Sequence, residues 1–230
     1  MIAGITRVRN ESLIIDDTLE HFLNLCDHIF IYDDCSTDDT VNRCLAFGDR
    51  VSVIRGDVWK SDRKYENTRH RGLLLDIVKW QEYDWVLCFD ADERLVGKWP
   101  DMKADGYKFR LFDGYLTPEN SEPYKSGPLE DLPRMWGPEC REILMLFRPE
   151  KASYRVTGQR EPIMKGDVEV CDIRVKHYGK CLSVEHWEET CDYYANNFPE
   201  PFKSKWSARR GNAIHTKSDF GKTLYKWGDL

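Results

Sequence analysis

Two aspartates separated by one residue follow a continuously apolar run of the sequence. The run is residues 85–89, and Asp90, Asp92 and Glu93 come directly after it. Side chains two apart on a strand point to the same side, so Asp90 and Asp92 can converge on one ligand. At ~4 Å each like-charge pair costs roughly 1–4 kcal/mol, and a divalent cation reverses that sign by joining carboxylates to phosphate oxygens. Hard oxygen ligands favour Mn²⁺ or Mg²⁺, which predicts a metal–diphosphate site; an acidic strand end that merely faces water is the alternative.

A second polar cluster follows an earlier apolar run, residues 28–32. It begins with Asp33 and Asp34 and continues to Thr40. A carboxylate at this place can accept a hydrogen bond from a base N–H, which suits a uracil or another imide-like edge. The alternative is a well-capped loop and helix start.

The elements that must position these acids are predicted from hydrophobic periodicity. Strands are predicted at residues 2–8, 28–32, 51–54, 85–89, 107–112, 143–147 and 170–175, and helices at roughly 67–81 and 183–198. Strands that alternate with helices indicate βαβ units and a parallel sheet, whose ligands bind beyond the carboxyl ends of the strands. Both acidic clusters lie at such ends. From Lys203 onward the sequence is basic and loses clear periodicity.

Composition excludes several other classes of protein. A formal net charge of −6 argues against a general nucleic-acid binder. The eight cysteines include no C-x-x-C pair, and several fall in apolar runs, which favours reduced thiols and a cytoplasmic location. No segment approaches the ~20 apolar residues of a membrane span, and the N-terminus lacks a signal-peptide core.

Three segments together resemble family 2 glycosyltransferases of the GT-A fold. They are TRVRNE at 6–11, YDDCSTDDT at 32–40 and FDADE at 89–93, in order within the first hundred residues. The resemblance implies a Rossmann-like, mostly parallel α/β sheet flanked by helices. It also implies a nucleotide-sugar half at 1–100, an acceptor-binding and catalytic half of the same domain at 101–200, and a basic tail at 201–230.

The resemblance also implies an activity and its residues. The chain would transfer a hexosyl or related sugar from a UDP-linked donor to a glycan, lipid-linked or protein acceptor, using Mn²⁺ or Mg²⁺. Predicted nucleotide-sugar contacts are Arg7, Asn10, Asp33, Asp34, Lys64, Arg69 and Asp90. Predicted metal ligands are Asp90, Asp92 and His177. Two later segments, GQRE at 158–161 and HYGK at 177–180, depart from the family pattern at Arg160 and Lys180.

The predicted mechanism is a single displacement with inversion at the anomeric carbon. A carboxylate would remove the acceptor hydroxyl proton while the diphosphate leaves. The candidate bases are Glu161, Asp113 and Glu142, and Glu161 is preferred because it matches the family's glutamate. Arg160 beside it could depress the pKa of Glu161, which would weaken the base.

Three other functions are weighed against this one. A nucleotidyltransferase usually has a Gly-rich basic loop near the first strand, and residues 6–12 contain no glycine. A phosphatase with an Asp-x-Asp pair would place it after the first strand. A non-catalytic binding module with the same fold is the third. The basic C-terminal stretch is interpreted as a lid over the diphosphate or a patch for an anionic acceptor or membrane surface, with a solvated tail as the alternative.

Overall fold

The computed structural model describes residues 1–58, 60, 63–155 and 160–230, with Lys64 described by its backbone alone. The strands are β1 Ile2–Val8, β2 His28–Asp33, β3 Val51–Arg55, β4 Trp85–Cys88, β5 Glu93–Val96, β6 Gly106–Tyr115, β7 Met135–Phe147, β8 Ala152–Ser153, β9 Ile163–Met164 and β10 Val168–His177. The helices are α1 Ile15–Leu23, α2 Thr40–Leu45, α3 Arg63–Trp80, α4 Val184–Asn197 and α5 Phe202–Ser207. Each predicted strand is present, and α3 begins four residues before its predicted start.

Among the described residues, eight strands form one sheet in the order β3-β2-β1-β4-β7-β6-β10-β5, and β8 pairs with β9 separately. The strands β3, β2, β1 and β4 are parallel to one another, whereas β4–β7 and β10–β5 are antiparallel pairs. The register of β1 on β2 ends at Val8↔Asp33, so the two strands finish side by side. The predicted α/β class with a large central sheet is confirmed.

The chain divides into two compact units. Unit 1 comprises Met1–Ala91, Lys98–Phe109 and Glu142–Ile173, and unit 2 comprises Asp92–Gly97, Arg110–Arg141 and Arg174–Leu230. The division falls inside the acidic motif, since Asp90 belongs to unit 1 and Asp92 to unit 2. The predicted functional division at residues 100 and 200 stays a prediction.

The core of unit 1 forms where α3 packs on the parallel strands. Leu74, Leu75 and Val78 of α3 are buried against Ile5 of β1 and Val86 of β4. All four residues of β4 are buried, which explains why its sequence is continuously apolar. This packing fixes the carboxyl ends of β1, β2 and β4, from which the acidic clusters of the sequence emerge.

The core of unit 2 is aromatic. The ring of Trp136 meets Tyr178 and Trp227 edge-on at centroid distances of 5.2 and 5.0 Å. Its backbone N–H and C=O bond with Tyr225, so the C-terminal stretch is built into this unit. The stretch after Lys203 shows no clear periodicity in sequence, yet it includes most of α5, because six residues are too few to show a helical period.

Within the described residues, no helix combines the length and the apolar character that a membrane crossing requires. All eight cysteines are free thiols, and Cys26, Cys44, Cys88, Cys181 and Cys191 are buried.

Candidate active site

The acidic cluster after β2 places Asp34 among cations of unit 1. Its side chain is 2% exposed and forms salt bridges with Arg63 and Arg7, the second with an Nε–Oδ2 distance of 3.3 Å. His70 Nδ1 lies 4.0 Å from Asp34 Oδ1. Because a buried carboxylate is costly unless it is paired, the two arginines are what allow a charged Asp34 at this place.

His70 is the neutral member of this group. Its ring stacks on Tyr32 with centroids 3.8 Å apart, and its Nε2 lies 3.2 Å from Glu66 Oε2. Burial, followed by the charges of Arg7 and Arg69, lowers the pKa of His70 to about 3. At neutral pH the imidazole therefore offers one donor and one acceptor nitrogen without a charge.

Asp33 and Asn10 shape the loop that carries Asp34. Both carboxylate oxygens of Asp33 lie 3.3 Å from the Ser36 N–H, and Asn10 Oδ1 accepts from the Thr37 N–H at 2.8 Å. Asn10 has a φ of 54°, in the left-handed region that asparagine tolerates. Asp33 and Asn10 were both predicted to contact the nucleotide, and both have hydrogen-bond partners within the loop itself.

The first turns of α3 supply the remaining groups near Asp34. Arg63, Glu66 and His70 recur at intervals of three and four residues, so they share one helix face. None of the three was predicted from the sequence, although their spacing is a signal that could have revealed them. Arg69, a predicted contact, pairs with Glu66 at an Nη2–Oε2 distance of 2.6 Å. The side chain of Lys64, also predicted, lies outside the described residues.

Asp90 is held by two guanidinium groups of unit 1. It pairs with Arg71, which is almost fully buried, and its Oδ2 lies 3.3 Å from Arg160 Nη1. Burial would lower the pKa of Arg71, but Asp90 raises it. As far as the structure is described, Arg71 Nε and Nη1 are buried without a hydrogen-bond partner.

In unit 2, His177 lies between two carboxylates. Its Nε2 is 3.3 Å from Asp92 Oδ2, and its Nδ1 is 2.6 Å from Asp113 Oδ1. The antiparallel pairing of β10 with β5 aligns His177 with Glu93, the residue after Asp92. The Tyr178 N–H donates to the Asp92 carbonyl at 2.8 Å, which fixes the backbone on both sides of the pair.

The charges of this group differ from those around His70. Burial would lower the pKa of His177, but Asp92 and Asp113 raise it to about 10. Burial would raise the pKa of Asp113, but His177, Lys180 and Arg141 hold it far below its usual range. Without a metal, His177 is therefore an imidazolium between two carboxylates.

The donor atoms around His177 fit a divalent cation. A Cβ on Gly179 would collide with Asp92 Oδ2 and lie 3.0 Å from His177 Nε2, so the glycine keeps space open beside both atoms. Two ligands about 2.1 Å from one ion at a right angle are about 3 Å apart, close to the observed 3.3 Å. Asp113 on Nδ1 occupies the place of the carboxylate that orients a metal-binding histidine.

This arrangement would be an incomplete ligand set by itself. Over the described ranges, no group of three or more His, Cys, Asp or Glu side chains is arranged to hold a metal ion. Mg²⁺ is commonly held by one or two carboxylates, with substrate phosphates and waters completing the shell. A site formed by Asp92 and His177 would supply one carboxylate and one imidazole and would leave the rest of the shell to phosphate oxygens and waters.

An ion-pair network extends from Asp113 to the C-terminal stretch of unit 2. Lys180 Nζ lies 2.9 Å from Asp113 Oδ2 and 2.7 Å from Asp219 Oδ2. Arg141 Nη2 lies 2.9 Å from Asp113 Oδ1, and Arg209 Nη2 lies 2.8 Å from Asp219 Oδ2. Lys180, which departs from the family pattern, is therefore held next to Asp113 by this network.

The other two candidate bases lie in unit 1. Glu161 Oε2 accepts from the Leu144 N–H at 2.8 Å, so its carboxylate is oriented by backbone. Glu142 is exposed. Gly158 and Gln159, which precede Arg160 in the family-like segment, lie outside the described residues.

Residues 5–99 match the family model described as Glycosyl transferase family 2. The match covers less than half of the chain. It includes both acidic clusters, Asp33–Asp34 and Asp90–Asp92, and it ends before Asp113, Glu161 and His177. The predicted family is supported for this segment. No curated protein matches this chain.

Solved structures similar to this chain include two of one protein. TarS residues 1–349 from S. aureus in complex with UDP has 13% identity and a TM-score of 0.48, covering 90% of this chain and 71% of that one. A second structure of TarS 1–349 has 13% identity and a TM-score of 0.46, covering 89% of this chain and 68% of that one. Glucosyl-3-phosphoglycerate synthase from Mycobacterium tuberculosis with Mn²⁺, UDP and glucosyl-3-phosphoglycerate has 21% identity and a TM-score of 0.29, covering 40% and 34%.

Proposed function

We propose that this chain is a glycosyltransferase that takes its sugar from a UDP-linked donor and requires Mn²⁺ or Mg²⁺. The sugar passes to an acceptor hydroxyl with inversion at the anomeric carbon. The observation that carries the proposal is the Asp92–His177 pair, which Asp113 orients and beside which Gly179 leaves space. Asp92 lies within the segment that matches family 2, and the other three residues come later in the chain.

Asp34 and its neighbours are proposed to bind the nucleotide base. The imide edge of uracil presents an N–H donor between two carbonyl acceptors. Asp34 supplies a fixed acceptor for the N–H, and Arg7 beside it supplies a donor for a carbonyl. Because Asp34 is nearly buried and paired, it is already in place before the nucleotide arrives.

Asp92 and His177 are proposed to hold the cation. When bound there, the cation would neutralise the diphosphate and support the departing negative charge. The chain's own contribution is to keep two donor atoms 3.3 Å apart and to hold the Nδ1 proton of His177 on Asp113. That hydrogen bond directs the Nε2 lone pair to the open side at Gly179.

Asp90 is assigned to the sugar nucleotide, and its predicted role as a metal ligand is the less favoured one. Two guanidinium groups, of Arg71 and Arg160, already engage its carboxylate. A cation would have to compete with both. Asp90 instead holds these arginines at the end of β4, where Arg71 has unused donors for an anionic or hydroxyl group in the described part of the site.

Glu161 is proposed as the general base. The acceptor oxygen forms a bond to the anomeric carbon as the bond to the diphosphate oxygen breaks, and Glu161 takes the hydroxyl proton. Asp113 is less suited because its pKa is held far below neutrality, so it retains little affinity for a proton. Glu161 lies next to Arg160, which contacts Asp90.

The proposed function is tested by measuring UDP binding calorimetrically with and without Mn²⁺. We expect Mn²⁺ to strengthen UDP binding to the wild type by about tenfold or more, because it joins phosphate to protein. In Gly179→Ala the new methyl group fills the space beside Asp92 and His177, and this strengthening is lost. Gly228→Ala is the matched control, since its Cβ would meet nothing within 4 Å.

Two results would refute parts of the proposal. If the UDP affinity of the wild type does not depend on Mn²⁺, the chain has no metal site of the proposed kind. If Gly179→Ala binds UDP with Mn²⁺ as tightly as the wild type does, the metal does not bind at Asp92 and His177. A screen of the other nucleoside diphosphates tests the choice of uridine, and full turnover by Glu161→Gln with UDP still bound would exclude Glu161 as the base.

A further inference from the structure

Four basic side chains of unit 2 gather around the carboxylates that support His177. They are Arg141 on β7, Lys180 after β10, Lys205 on α5 and Arg209 after α5, and they are called the basic cluster. Arg141, Lys180 and Arg209 form salt bridges with Asp113 or Asp219, and Lys205 interacts electrostatically with Asp219 and with the other three cations. Among the described residues, these four cations and two carboxylates carry a net charge of +2.

Two members of the basic cluster are fixed by surrounding rings. Lys180, 11% exposed, bridges the two carboxylates, and its Nζ lies 5.3 Å from the centre of the Tyr115 ring. The Arg209 guanidinium lies 4.9 Å from the centre of Trp206 and 5.9 Å from that of Trp187. These contacts hold both charges in position and limit the entropy lost when a ligand binds.

The other two members are accessible. Arg141 is 57% exposed although it bonds to Asp113. Lys205 is exposed and, in the part of the chain that the structure describes, forms no salt bridge. Burial first, then the charge of Arg209, lowers the pKa of Lys205; Asp219 opposes this, while Lys180 and Arg141 add to it. The cluster therefore has more positive charge than its own carboxylates neutralise.

We propose that the basic cluster binds a phosphate group of a substrate. A phosphate dianion matches the net charge of two, and the guanidinium of Arg141 can offer two parallel donors to its oxygens. The assignment rests on the proposed function, because Arg141 and Lys180 bond to Asp113, and Asp113 bonds to the proposed metal ligand His177. The phosphate can belong to the acceptor or to the diphosphate of the donor.

The test is a titration with inorganic phosphate at constant ionic strength, followed by the thermal stability of the protein. Lys205→Gln and Arg141→Gln are each expected to weaken phosphate binding by about tenfold, because each removes a charge-assisted hydrogen bond. Two matched controls are expected to bind phosphate as the wild type does. Lys203→Gln removes a charge from the same short helix, and Arg210→Gln removes one that pairs with Asp192 instead.

A second titration identifies the source of the phosphate. If phosphate still binds when UDP and Mn²⁺ are saturating, and Lys205→Gln leaves UDP affinity unchanged, the cluster serves a phosphorylated acceptor. If UDP displaces phosphate and Lys205→Gln weakens UDP equally, the cluster serves the donor diphosphate. Either result supports a phosphate site.

The proposal is overturned if the wild type shows no saturable phosphate effect, or if Lys205→Gln behaves like Lys203→Gln. Failure of the proposed function gives a different pattern, in which Mn²⁺ and UDP do not bind together although the phosphate effect remains. The two failures are therefore distinguishable in one set of proteins.

Discussion

Two histidines, the buried His70 in unit 1 and the partly buried His177 in unit 2, have opposite charge environments. His70 in unit 1 lies near Arg7 and Arg69, and its pKa is lowered to about 3. His177 in unit 2 lies between Asp92 and Asp113, and its pKa is raised to about 10. Burial lowers both values, so the neighbours decide the outcome.

The difference indicates two kinds of binding site. Around His70 the carboxylate of Asp34 is already paired with arginines, so the group offers hydrogen bonds in fixed positions and suits a neutral base. Around His177 two carboxylates share one positive charge, that of the imidazolium. A metal ion that binds Nε2 would displace the proton there and supply the positive charge instead. Variants that affect one site and spare the other test whether the two sites differ in this way.

The largest effect is expected for Asp92→Asn. Turnover should fall about 10³-fold, because Asp92 would no longer hold the cation that supports the departing diphosphate. UDP affinity measured without metal should remain that of the wild type, since Asp34 and His70 are untouched. Release of UDP in the presence of acceptor measures turnover, and Asp101→Asn, at an exposed surface pair, is the control. Turnover within a factor of a few of wild type would rule out Asp92 as the metal ligand.

Asp34→Asn should act mainly on unit 1. It leaves Arg63 and Arg7 without their anion in a buried place, and we expect the free energy of unfolding to fall by about 3 kcal/mol. UDP affinity should weaken both with and without Mn²⁺, unlike in Asp92→Asn. Denaturant unfolding and calorimetry measure the two quantities.

A control for Asp34→Asn is Asp16→Asn, which removes a carboxylate from the half-exposed pair with Arg43 and should cost less than about 1 kcal/mol. If the two variants lose the same stability, the burial of the Asp34 group does not have the energetic role assigned to it.

The parallel half of the fold could be predicted because its signals are local. β1 has the predicted bounds and β4 ends one residue earlier than predicted, since a strand covered on both faces is a continuous apolar run. The acidic clusters after β2 and β4 followed from the same argument. The sequence could not show which arginine pairs with which aspartate. Arg63 and Arg71 both lie on α3, and they pair with Asp34 and Asp90 respectively.

The second half depends on contacts between residues distant in sequence. Asp113, His177 and Asp219 are separated by dozens of positions, yet a network of hydrogen bonds through Lys180 joins them. No periodicity encodes such a network. Gly179 is another example. It matters because a side chain there would collide with Asp92, and the order of residues along the chain does not reveal that contact.

Asp113→Asn tests whether Asp113 is a positioning residue rather than a base. Losing the charged acceptor on His177 Nδ1 should weaken Mn²⁺ binding in the presence of UDP by about 10–100-fold. UDP affinity without metal should not change. Asp192→Asn, which breaks the exposed pair with Arg210, is the control in the same unit. A loss of turnover with unchanged Mn²⁺ affinity would instead support Asp113 as the base.

The smallest effect is a pH dependence of stability that originates in His70. Its folded pKa of about 3 lies below the unfolded value of 6.5, so the unfolded chain binds more protons between these limits. Stability is therefore lost as pH falls below about 6.5, the opposite of what a histidine with a raised pKa contributes. At pH 5.5 the loss from this residue is about 1.4 kcal/mol.

The measurement compares wild type with His70→Gln, which cannot gain the proton. The charged neighbours Arg7, Arg63, Arg69 and Glu66 are present in both proteins, so their contributions largely cancel in the difference. The difference in unfolding free energy should be constant above pH 7 and should shift in favour of His70→Gln as the pH falls to 5.5. A difference that stays flat would mean that His70 can take up a proton in the folded state. The group around Asp34 would then hold an imidazolium, as the group around Asp92 does, and the contrast between the two sites would disappear.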